Sequence, residues 1–147
     1  MQNLWKKSAA TFAAAVLMLS IGHGAPASAK AKTATSSYTV SLVSETLESN
    51  DHVGNEWYTE ASAGGRLLEE GDTVTLNVKA GGAIELKAAA IEQDKIPDEG
   101  TASKSVKVSS ISKTGSVIKL KVVVTENRGR YSGNQAVWVF TYSVKAK

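Results

Sequence analysis

The segment "SVIKLKVVVTE", Ser116 to Glu126, decides the fold class. Ile118, Leu120, Val122 and Val124 recur at every second position, with Lys119 and Lys121 between them. Alternate side chains of a strand point to opposite faces, so this spacing buries one face and wets the other. Upstream, "DTVTLNVKA" repeats the pattern: Val74, Leu76 and Val78 alternate with Thr73, Thr75, Asn77 and Lys79. Downstream, "QAVWVFTYSV" sets Ala136, Trp138, Phe140, Tyr142 and Val144 on one face and Val137 and Val139 on the other. A strand apolar on both faces belongs in the middle of a sheet.

Weaker alternation occurs in "SYTVSLVSETL", "EWYTEAS", "AIELKAAAIE" and "SVKVSSIS". Ala88 to Ala90 favour helix by propensity, but the run is short and flanked by alternation, so it reads as strand. Gly64-Gly65, "EEGD" at Glu69 to Asp72, Gly81-Gly82 and "KTG" at Lys113 to Gly115 are tight-turn signals between these runs. Counting Arg66 to Leu68 as the returning limb of a hairpin gives about eight strands. The expected fold is all-β, a single antiparallel β-sandwich.

Ahead of the strands, Lys6 and Lys7 precede an apolar run, Ala13 to Ile21, and then Ala27-Ser28-Ala29. A positive start, a short apolar stretch and an A-x-A site make a secretory signal peptide. The expected organisation is a signal peptide at 1–29 cleaved after Ala29, a flexible leader at 30–37, and one sandwich domain at 38–147. No later run is long enough to span a bilayer, so the cleaved chain is expected to be secreted, extracellular and monomeric. Cysteine is absent, which excludes disulfides, thiolate catalysis and cysteine-based metal sites.

Charge is divided along the chain. Residues 30–100 hold 13 acids and six bases, net −7, whereas residues 101–147 hold nine bases and one acid, net +8. Such asymmetry can mark an anionic partner; the expected outcome is that the halves become interleaved strands whose charges neutralise one another.

If every connection crosses the sandwich end to end, the short turns gather at one pole. The long connections Glu48 to Glu56, Glu92 to Ser103 and Glu126 to Asn134 gather at the other, together with the "EEGD" turn. The long loops are rich in oxygen ligands: Asp51 and Glu56 in the first, Glu92, Asp94 and Asp98 in the second, Glu126 in the third. Ca²⁺ takes six to eight such oxygens with tolerant geometry, and clustered acids need a counterion. Alternatively, Arg128 and Arg130 of the third loop pair with the second-loop acids and remove the need for metal. With Tyr131, the same two arginines could clamp an anionic surface, a cell-wall polymer or a lipid headgroup.

The first loop ending "VGNEW", the second of form E-x-D-x-x-x-D and the eight-strand count resemble C2-type β-sandwich domains. "NDHVGNEW" with "ENRGRYSGN…VWVFTY" is similar to small secreted proteins of Gram-positive bacteria. The resemblance implies Ca²⁺ as cofactor, with Asp51, Glu56, Asp94 and Asp98 as ligands. The third loop departs from it, offering Glu126 and Asn127 beside two arginines where aspartates are usual.

Catalysis finds little support. His52 is the single histidine after residue 29 and reads as a solvated loop residue; no G-x-S-x-G elbow is present. Glu56, Glu92 or Glu126 could serve glycoside hydrolysis only if a domain this small built a deep cleft. Trp57 and Trp138 fall in strand patterns and read as core. Nucleic acid is disfavoured, because aromatic and basic residues do not interleave on one face. The expected role is a secreted, non-catalytic binding module; the alternative is an exported effector or toxin-like protein that uses the sandwich to display a surface to a host cell component.

Overall fold

A computed structural model describes residues 33–147. The expected signal peptide and the first residues of the expected leader lie outside the described residues. Eight strands follow in order: β1 (Thr35–Asn50), β2 (Trp57–Ala63), β3 (Arg66–Leu68), β4 (Thr73–Lys79), β5 (Ala83–Glu92), β6 (Asp98–Lys107), β7 (Ser116–Thr125) and β8 (Gln135–Ala146). Two 3₁₀ turns, Val108–Ser110 and Gly129–Tyr131, are the only helical segments among the described residues.

All pairings are antiparallel, in two four-stranded sheets ordered β4-β1-β8-β7 and β3-β2-β5-β6. The expected β-sandwich is the fold. β8 is internal, as its two apolar faces require, and Val40, Leu42, Leu86, Val122, Phe140 and Tyr142 are buried between the sheets. Trp57 and Trp138 pack edge to face at the margin of this core, 5.7 Å between centroids.

β1 serves two partners. Its first half pairs with β4 and nearly its whole length with β8, with register shifts between Leu42 and Ser44 and between Leu47 and Ser49. The leader therefore ends earlier than expected: Thr35, Ser36 and Ser37 are already strand, matched to Lys79, Val78 and Asn77. Their alternation was too polar to read, because this stretch is paired through its backbone at an exposed margin.

The sandwich is closed along one edge and open along the other. β6 and β7 press together so closely that a Cβ on Gly100 would lie 2.3 Å from the Val123 carbonyl oxygen. On the far side β3 has only three residues, so most of β4 has no neighbour beyond it.

Candidate functional site

The three long connections meet at one pole. Asp51 N donates to Gln135 O at 3.0 Å, joining the first loop to the start of β8 where the third loop ends, and Gln93 N donates to Glu56 O at 2.6 Å, joining the second and first loops. Asn127 Nδ2 donates to Asp98 Oδ1 at 2.8 Å and Arg128 Nη2 to Ile96 O at 2.9 Å, joining the third and second. The parity of the strands places them there, since each closes the same end of consecutive antiparallel strands. The "EEGD" turn does not reach this pole. Gly71 N donates to Leu42 O at 2.8 Å and Glu45 N to Glu70 Oε2 at 2.9 Å, which seats the turn halfway along β1. β1 continues five residues beyond Glu45, roughly 16 Å of strand. β3 and β4 are simply too short to span the sandwich.

Most of the acids at the pole hold a contact of their own. Asp51 Oδ1 lies 2.9 Å from His52 Nδ1, with both side chains about two-thirds exposed. Asp94 accepts from the Lys95 amide. Glu126 Oε1 accepts from Arg128 N at 3.2 Å, and Glu56 is exposed. Asp98 is buried beneath Asn127, with the Arg128 guanidinium 3.9 Å away.

Glu92 is buried too. Its Oε1 is 3.5 Å from Glu56 N, while its Oε2 has no partner. The first loop folds over it at Gly54, φ +128°, where a Cβ would fall 2.2 Å from Oε1.

Among the described residues no three acidic or histidine side chains come together around a common point. The six expected ligands are dispersed, and in this arrangement they do not fit a cation that needs six to eight oxygens. Two features of the third loop account for it. Asn127 and Arg128 stand where further acids would be needed, and they supply donors and a fixed positive charge to the second loop instead. Arg130 takes no part in that pairing.

Arg130 belongs to a different cluster. The His52 ring stacks on Tyr131, 4.8 Å between centroids and 14° from parallel, and the Arg130 guanidinium carbon is 5.7 Å from the Tyr131 centroid. His52 adopts φ +58° to reach this position. Asp51, His52, Tyr131 and Arg130 thus form one exposed chain of contacts across the first and third loops. His52 was expected to be merely solvated. No local sequence signal links it to a ring 79 positions away; only the meeting of the loops does. Beside the cluster, Asp94, Lys95, Ile96, Glu126, Arg128 and Gly129 line a shallow recess of about 260 Å³.

The two charged halves of the chain separate in space. Strand orders β4-β1-β8-β7 and β3-β2-β5-β6 put β6, β7 and β8 together on the closed side. The stretch Thr101 to Thr125, all of β7 and the last seven residues of β6, contains no acid; Asp98 and Glu99 precede it at the start of β6. Lys104, Lys107, Lys113, Lys119, Lys121 and Lys145 are all exposed there. One of them, Lys121, pairs with an acid: its Nζ lies 3.2 Å from Glu48 Oε2, with both side chains more than half exposed. Within each sheet, strands from the two halves are neighbours only at β1–β8 and β5–β6, so the neutralisation is partial: among the described residues Lys121–Glu48 and Arg128–Asp98 are the ion pairs between the halves.

No protein-family model matches the chain, and no curated protein matches it in sequence.

Proposed function

We propose that this protein is an exported, non-catalytic binding module that holds a linear anionic polymer of the cell envelope against its basic side. The observation that carries the reading is the segregation of charge: a closed edge rich in lysine, without an acid from Thr101 to Thr125. Lys119 and Lys121 are two residues apart on the outer face of β7, hence roughly 6.6 Å apart along it. That repeat suits a polymer with one charge per short unit. At the loop end of β7, Arg130 and Tyr131, the anionic-surface residues expected from sequence, add a guanidinium and an exposed ring. Arg128 contributes less, being turned toward Ile96 and Asp98.

The test is calorimetric titration with soluble poly(glycerol phosphate), with neutral dextran as control. Binding is expected to fall steeply with salt, as interactions between exposed charges do. Replacing Lys107 and Lys119 by Glu is expected to weaken it about tenfold or more. Equal affinity for dextran, or indifference to both salt and the two substitutions, would overturn the reading. A clear preference for anionic lipid vesicles over the polymer would move the partner to a membrane surface.

A further inference from the structure

We infer that the open edge of the sandwich, strand β4, is a self-association surface that pairs antiparallel with β4 of a second copy of this chain. The inference concerns the opposite side of the molecule from the basic face and does not depend on it.

Three observations carry it. The first is the direction of the free backbone groups. Leu42 N donates to Asp72 O and Ala80 N to Ala34 O, so the hydrogen-bonded register of β1 and β4 falls on even residues of β4. Hydrogen-bonded pairs recur every second residue in an antiparallel ladder. The N–H and C=O groups of Thr73, Thr75, Asn77 and Lys79 therefore point off the edge. One of them, Lys79 O, is used locally, accepting from Gly82 N. A seven-residue strand with such a row of free groups is a ready template for another strand.

The second is self-complementarity. Pairing two copies antiparallel about Leu76 uses the whole strand and sets Thr73 opposite Lys79 and Thr75 opposite Asn77. These are the residues with free groups, so they become the hydrogen-bonded pairs. Leu76 then faces Leu76 and Val74 faces Val78, all three residues half-buried on the inner face of β4. No like charges are opposed.

The third is room and charge. Between β4 and the turns at Gly64 and Gly82 lies a groove of about 600 Å³ whose only charged lining residues are Arg66 and Lys79. The other end of β4 leads into the acidic turn holding Glu69, Glu70 and Asp72. Antiparallel pairing brings the acidic turn of each copy to the Arg66–Lys79 end of the other. A monomer, expected from sequence, leaves the free edge to water and this complementarity unused.

The test is sedimentation equilibrium of the purified protein, with Thr75→Pro as the decisive variant. Proline at position 75 removes one N–H directed off the edge and none directed at β1, so the fold survives. Wild type is expected to reach twice the monomer mass with rising concentration, and more weakly in high salt. Thr75→Pro is expected to stay at monomer mass with unchanged circular dichroism, and Lys79→Glu to dissociate the dimer partly. Monomer mass for wild type at every concentration up to roughly millimolar, where an association would be worth only about 4 kcal/mol, overturns the inference. So does a dimer that Thr75→Pro leaves intact.

Discussion

Glu92 and Asp98 are direct partners across the β5–β6 ladder, and both carboxyl groups are buried. Residues opposite one another in an antiparallel pair have Cβ atoms about 5 Å apart, and like charges there are destabilising. Asp98 is compensated by Asn127 and Arg128, whereas Glu92 Oε2 is left without a donor. Glu92→Gln keeps the shape, removes one acceptor-only group from the pair and supplies donors. It is expected to raise stability by about 1 kcal/mol, measured by urea denaturation. A loss of stability would mean that the Glu92 carboxylate holds an interaction as yet unseen.

The dispersal of Asp51, Glu56, Glu92, Asp94, Asp98 and Glu126 bears directly on Ca²⁺. A site half-saturated well below the ligand concentration adds about 2.7 kcal/mol at a hundredfold excess over its Kd, a change no melting curve of a domain this size would miss. Melting temperatures in millimolar Ca²⁺ and in chelator are expected to coincide. A rise of several degrees with Ca²⁺, abolished by Asp94→Asn with Asp98→Asn, would show that the loops rearrange to gather their acids.

Tyr142 supplies an alkaline limit. Burial raises its phenol from 10.0 to about 12, helped by the nearby Glu45 charge and opposed by a hydrogen bond from the backbone. Its hydroxyl donates to Lys87 O at 2.6 Å, tying the two sheets together. The folded state holds this proton more tightly than the unfolded chain. Its stabilising effect is therefore complete below pH 10 and is lost as pH climbs from about 10 to about 12, at about 1.4 kcal/mol per pH unit. Tyr142→Phe is expected to lower stability at neutral pH by about 1 kcal/mol and to flatten the decline above pH 10. Denaturant midpoints across that range check both. A variant whose alkaline slope matches wild type would place the titration elsewhere.

The amino-acid order alone established the strands, because period two is a property of each segment and survives without knowledge of its neighbours. Ile118 to Val124 and Ala136 to Val144 lie buried where their alternation puts them. Strand parity also foretold that the loops holding Asp51, Asp98 and Glu126 would meet. Where polarity masked pairing, at Thr35 to Ser37, and where two strands were too short to span the sandwich, at the "EEGD" turn, the sequence reading failed. Neither error is visible without the partner strand that sets the length of each ladder.

Side-chain destinations within a shared pole were decided only in three dimensions. Asp98 meets Asn127 and Arg128, and Asp94 and Glu126 accept from backbone amides. His52 on Tyr131 and Glu92 opposite Asp98 are likewise products of register, not of composition. The charge imbalance was countable from the first reading, +8 against −7. Whether those charges cancel depends on which strands become neighbours, and sheet order is a long-range choice made by the buried faces, to which the exposed lysines contribute nothing.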